Sequence, residues 1–121
     1  MAHNLKYITA MPHVADVQRS INFYKHLGLE LQRSLKNEDG TLQWAHVSGG
    51  GAELMFVRAS GPLTPPAMIL YIYVRDVTTL RNQLAAADVI VSDITFPPYM
   101  PEGEICVNDP DGYTLLIGQS N

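Results

Sequence analysis

The sequence predicts an α+β fold built from two tandem βαβββ modules. Three observations predict it. Val14-Ala15-Asp16-Val17 returns as Val74-Arg75-Asp76-Val77, sixty positions on. Each copy follows an apolar run and precedes a helix-like stretch that closes twelve residues after its Asp, at Gly28 and at Asp88. Strand-like runs follow each helix. A repeat of this period is one supersecondary unit that leaves an apolar sheet face bare, so the two halves are expected to pack into one domain over residues 1–121, with a cleft where they meet.

Tyr7 to Met11 reads as the first strand, interrupted by Pro12 and His13. Asp16 is a helix N-cap. Val17, Ile21, Tyr24 and Leu27 follow on one helical face, and Gly28 stands where a left-handed C-terminal residue belongs. Leu29 to Ser34 is the next strand, and Asn37-Glu38-Asp39-Gly40 is a turn. Thr41–Val47 and Ala52–Arg58 form a hairpin over Ser48-Gly49-Gly50-Gly51. Module 1 thus spans about residues 5–58. Residues 59–67 are Pro-rich and too short to separate independent domains, so they read as a crossover.

Module 2, about residues 68–119, opens on the apolar run Met68–Val74. Asp76 caps a helix with Val77, Leu80, Leu84 and Ala87 inward. Asp88 takes the slot of Gly28, since Asp tolerates the left-handed conformation better than most residues. Val89–Ile94, Glu104–Asn108 and Tyr113–Gly118 are strands. The last two are turned by Asp109-Pro110-Asp111-Gly112, and Phe96-Pro97-Pro98-Tyr99-Met100-Pro101 is a stiff loop.

A chain of 121 residues, 46% hydrophobic and 17% charged, reads as globular. Its net charge of −4 and the lack of a basic stripe argue against a nucleic-acid partner. No run is long enough to span a bilayer, and Met1–Lys6 lacks a signal-peptide core, so a cytoplasmic location and no membrane partner are expected. Cys106 is the single cysteine. It forms no intrachain disulfide and reads as a small core residue.

The V-x-D-V motif before each helix, Phe23-Tyr24 in the first helix and Asp109-Pro110-Asp111-Gly112-Tyr113 before the last strand are in register over nearly the whole chain. Together they resemble the vicinal oxygen chelate superfamily: glyoxalase I, bleomycin- and fosfomycin-resistance proteins and extradiol dioxygenases. The run Asp109 to Gln119 is most similar to the bleomycin-resistance-like branch. The resemblance implies a curled mixed sheet forming a cup, with helices on its outer face and the ligand inside. It also implies a homodimer.

Metal-dependent members place ligands in the first and last strands of each module. Carried over by the V-x-D-V and D-P-D-G landmarks, those positions are Thr9, Glu53, Ile69 and Leu116. Of these only Glu53 is a competent ligand, and one carboxylate cannot hold a divalent ion that needs three or four donors. No metal and no other cofactor are therefore expected.

With Glu53 pointing into the cup, strand alternation puts Met55, Trp44 and His46 beside it, while Ala45, Val47, Leu54 and Phe56 face the helix. A hairpin centred on Gly49-Gly50 sets His46 directly across from Glu53. In module 2, Tyr71 and Tyr73 line the cup, with Leu70, Ile72 and Val74 behind, and Glu104 and Cys106 are candidates to join them. The expected lining is Met11, Trp44, His46, Glu53, Met55, Tyr71, Tyr73 and Leu116. Such a pocket suits a flat or partly cationic organic ligand. Each aromatic also reads as plain core, and His46 with Glu53 as a structural pair. His13 reads as a solvated loop residue, His26 as exposed on the helix and His3 as tail. Tyr99 and Met100 read equally as a lid or as surface loop.

Three functions remain open. The first is a metal-independent protein that holds a small organic ligand in the cup. The second is a lyase, isomerase or dioxygenase using Glu53 and His46 as weak catalytic candidates, with or without a divalent metal. The third is a degenerate module serving regulation or assembly.

Overall fold

In the computed structural model, residues 4–64 and 67–120 are described. His3, and Pro65 and Pro66 of the expected crossover, lie outside them. The elements are β1 (His13–Val14), α1 (Val17–Lys25), β2 (Glu30–Lys36), β3 (Leu42–Gly49), β4 (Ala52–Arg58), β5 (Ile69–Val74), α2 (Val77–Ala86), β6 (Glu104–Asn108) and β7 (Thr114–Gln119). The chain divides into two compact units, Met1–Gly61 and Pro62–Asn121. Each is an α+β module with one helix and one mixed sheet, ordered β1-β4-β3-β2 in the first and β5-β7-β6 in the second.

In the first unit, the Asp16 side chain accepts from the N–H of Arg19 at 3.1 Å and caps α1. The helix closes on Gly28 at φ 94°, where the N–H of Leu29 bonds the carbonyl of Tyr24, a turn that glycine adopts without steric cost. Val17, Ile21, Phe23 and Tyr24 are buried, and the Tyr24 ring packs 5.2 Å from Phe56 of β4. Ala45 and Val47 of β3 and Leu54 of β4 share that buried face. Leu27, expected inward, is only half-buried.

Two expectations for this unit are corrected. The first strand is not Tyr7–Met11 but β1, so His13 is a strand residue rather than a loop one. The carbonyls of Ala10, Pro12 and Val14 accept from Met55, Val57 and Ala59 of the parallel neighbour. Pro12 has no N–H to return, which breaks the ladder there. The β3–β4 hairpin is centred on Gly50-Gly51, not Gly49-Gly50. Both central residues have positive φ, 58° and 82°, as a two-residue type I′ turn requires. Gly49 instead lies against the backbone of Gly28, where an added Cβ would come 2.1 Å from the Gly28 carbonyl oxygen.

In the second unit, Asp76 caps α2 by accepting from Thr79 N–H and Thr79 hydroxyl. Asp88 takes the left-handed turn, at φ 63°. Val77, Leu80 and Leu84 are buried with Ile105, Val107, Leu115 and Ile117 of β6 and β7. Ala87 is exposed, because α2 ends at Ala86 and the chain is already turning. The expected strand Val89–Ile94 does not form. Two isolated bridges, Val91 with Val107 and Thr95 with Glu104, flank β6. Between the bridges three residues on one side oppose two on the other, so the register slips by one, as in a bulge. Between them the Ser92 hydroxyl, not a backbone carbonyl, accepts from the N–H of Cys106. Cys106 is exposed rather than a core residue, because its β6 parity is opposite to that of the buried Ile105 and Val107.

Candidate functional site

In the first unit the helix-free face of the sheet carries a polar cluster around Glu53. Thr9 Oγ1 donates to Glu53 Oε1, and His46 Nε2 lies 2.9 Å from Glu53 Oε2. His46 does not sit directly across from Glu53. The hairpin register pairs Ser48 with Glu53 and His46 with Met55. The two side chains meet on the diagonal, which long side chains reach across antiparallel strands. Their side chains are 21% and 27% exposed, so the pair is open to a small molecule. The bond from Thr9, then that from His46, holds the Glu53 carboxyl below its ordinary range.

Trp44 stands on the same face, opposite Leu35 of β2 and Val57 of β4. The Arg33 guanidinium lies 5.8 Å from its ring centre, within cation–π range. Arg33, Ser34, Leu35 and Trp44 border an open hollow of about 610 Å³. Glu53 borders another, of about 870 Å³, with Tyr7, Ile8 and the glycine turn. Met55 is half-buried on the face and Met11 is 47% exposed before β1.

The helix-free face of the second unit carries a different cluster. Tyr71 Oη donates to Glu104 Oε2 at 2.6 Å, and Tyr99 Oη donates to Glu104 Oε1 at 2.9 Å. The Tyr71 and Tyr73 ring centres are 5.0 Å apart, and Tyr71 and Tyr99 meet edge to face at 6.5 Å. Burial, reinforced by Glu104, pushes the Tyr71 phenol well above its ordinary range. The bond to Glu104 also raises Tyr99. Leu116 is half-buried between Tyr71 and Cys106.

Gly118 makes this cluster possible. Glu104 pairs with Gly118 across β6 and β7, and Tyr71 lies on the far strand, β5. A Cβ on Gly118 would stand 2.7 Å from Tyr71 Oη and 2.6 Å from Met100 Cε. Only the bare glycine lets the Tyr71 ring lean across β7 to reach Glu104. Sequence reading placed Tyr71 and Glu104 on one face but missed the bond between them and the part of Tyr99. The glycine inside a strand, a mark of close approach, was the available signal.

The positions that the resemblance assigned to a metal do not fit one. Ile69 and Leu116 carry no donor atom, and Thr9 spends its hydroxyl on Glu53. Among the described residues no three His, Cys, Asp or Glu side chains gather as a metal site.

The family model for the glyoxalase/bleomycin resistance protein/dioxygenase superfamily matches residues 9–117. The chain belongs to this superfamily. Solved structures share the superfamily fold with it. A bleomycin-binding protein complexed with bleomycin is 17% identical, covering 97% of this chain and all of its own, with a TM-score of 0.73. TnmS3, an antibiotic-binding protein from Streptomyces sp. CB03234, is 22% identical over 99% of this chain and 100% of its own, with a TM-score of 0.75. A lactoylglutathione lyase from Agrobacterium tumefaciens is 18% identical over 98% and 96%, with a TM-score of 0.72. No curated protein matches the chain by sequence. Binders and an enzyme of the superfamily are thus alike in fold, and the side chains must choose between them. No helix among the described residues is long and apolar enough to cross a membrane.

Proposed function

We propose that the chain is a metal-independent small-molecule-binding protein, a homodimer that holds an organic ligand against the helix-free faces of its sheets. One observation carries the reading. The superfamily's metal positions hold a single carboxylate, Glu53, and both its oxygens are engaged by Thr9 and His46. What the faces offer instead is Trp44 and Met55 in the first unit and, separately, Tyr71, Tyr73 and Leu116 in the second, apolar and aromatic surfaces of the kind on which flat organic molecules bind. The antibiotic-binding proteins of the same fold support this, and the apolar exposure of Leu5, Tyr7 and Ile8 supports a self-association surface.

The test is elemental analysis after dialysis against zinc, nickel, manganese and iron salts in turn, with the mass in solution measured alongside. The expected result is a dimer that retains none of them. Retention of about one metal ion per chain sinks the proposal.

The 2.9 Å contact between His46 and Glu53 favours a second reading, an enzyme in which the carboxylate orients the imidazole as a general base. A turnover that Glu53→Gln abolishes while ligand affinity survives would establish it.

A further inference from the structure

We propose that the second unit carries a subsite for an organic cation, an amine or quaternary ammonium group, formed by the Glu104 carboxylate and the rings of Tyr71, Tyr73 and Tyr99. The inference deepens the binding function proposed above and rests on it.

Glu104 is only 7% exposed. A carboxylate taken that far out of water is costly unless it is both hydrogen-bonded and paired with a cation. The first condition is met by two phenols. The second is not. Among the described residues none forms an ion pair with Glu104; the pairs of His46 with Glu53 and of Arg81 with Asp93 lie elsewhere. Tyr71 and Tyr99 are neutral donors, and the raised position of both keeps them so at physiological pH.

A purely structural latch for the 96–101 loop would need an acceptor for Tyr99 and nothing more. A neutral side chain would serve. A carboxylate this buried, with no cation paired to it among the described residues, is what a ligand cation would satisfy.

The surroundings suit that cation. An ionised carboxylate offers about four lone-pair positions, and the two phenols occupy two of them. Tyrosine rings present negative faces that attract cations within about 6 Å of the ring centre. Tyr73 and Tyr99 are 66% and 64% exposed, so ring surface is open beside the carboxylate. Tyr71 binds the group together, touching Tyr73 and Tyr99 through its ring and Glu104 through its hydroxyl. The carboxylate and the three rings thus stand in one cluster.

The experiment is an amide NMR titration of the full chain, in the presence of chelator, with choline and with the neutral tert-butyl isostere of choline. Choline is expected to produce saturable shifts at Tyr71, Tyr73, Tyr99 and Glu104, with the isostere roughly tenfold weaker. Glu104→Gln should abolish that preference. Tyr99→Leu, on the exposed loop, should weaken choline alone and keeps the test decisive where Glu104→Gln fails to fold. Equal affinity for the two probes overturns the subsite, as does a preference that survives both variants. Benzyl alcohol, titrated in parallel, separates the two levels of inference. If it shifts the same face while choline does not, the cation subsite falls and the binding function stands. If neither probe binds, both fall.

Discussion

The two modules surround a carboxylate with different chemistry, on strands that are not equivalent: Glu53 stands on β4, whose counterpart is β7, and Glu104 on β6, whose counterpart is β3. Each presents a carboxylate on the helix-free face of its sheet, and each carboxylate accepts two side-chain bonds. Glu53 in the first unit takes its bonds from a threonine and a histidine and stays about a quarter exposed. Glu104 in the second takes them from two tyrosines and is almost fully buried. Glu53 thus has a basic side chain beside it, whereas Glu104 has only phenol donors among the described residues. The duplication therefore repeats the sheet but not the place of its carboxylate, and the partner residues set what surrounds each one.

Glycine substitutions break this comparison most forcefully. Gly49→Ala drives a methyl into the Gly28 carbonyl oxygen, a backbone atom that cannot yield cheaply. Chemical denaturation should show a loss at or above the top of the roughly 1–3 kcal/mol range of overpacking. Gly118→Ala meets the mobile ends of Met100 and Tyr71 instead, so a loss of about 1–2 kcal/mol is expected. It should also break the Tyr71–Glu104 bond, visible as a shift of the Tyr71 phenol signal. If the two substitutions cost the same, the distinction between a backbone and a side-chain obstacle is wrong.

Removing single donors gives smaller effects. Tyr71→Phe deletes a bond to a buried carboxylate and should cost about 1–2 kcal/mol in the same assay. An unchanged midpoint would mean that Glu104 finds another donor.

The pH responses sharpen the contrast and are the mildest tests. The Glu53 pKa is lowered on folding, by Thr9 first and His46 second. Its contribution is complete above its ordinary value of 4.5 and fades as pH falls through the lower folded value. Melting temperature followed through the acid range should drop there, and Glu53→Gln should flatten that drop. Tyr71 and Tyr99 are raised on folding. Their contribution is complete below their ordinary value of 10 and fades as pH climbs towards the folded values. Tyrosinate absorbance should show a late alkaline phase, shrunken in Tyr71→Phe. An acid response in the second unit with no alkaline one would reverse the assignment.

Much of this was legible in the sequence, for identifiable reasons. The caps Asp16 and Asp76, the left-handed turns at Gly28 and Asp88 and the bounds of β4 follow from local chemistry, and the structure places them as read. The hairpin centre was not legible, because three consecutive glycines satisfy a type I′ turn at either of two positions. The long-range contact of Gly49 with Gly28 decides between them. The face of each residue survived that error, since the pairing moved by two and parity is unchanged. Val89–Ile94 had the composition of a strand, yet Ser92 displaces a ladder bond and a bulge displaces the rest. The Glu104 cluster joins three strands and a loop, so no local pattern could announce it.

The slipped segment beside β6 has a consequence for the protein's behaviour at high concentration. An uninterrupted outer strand would offer a regular row of amide and carbonyl groups to any passing chain, the template on which fibrils grow. Here the row is broken between Val91 and Thr95, and the Ser92 hydroxyl has replaced one of its rungs. The irregularity that spoils the sheet as a strand also spoils it as a seed. A change that restored the even ladder would be expected to improve the sheet's symmetry and shorten the protein's life in a concentrated solution.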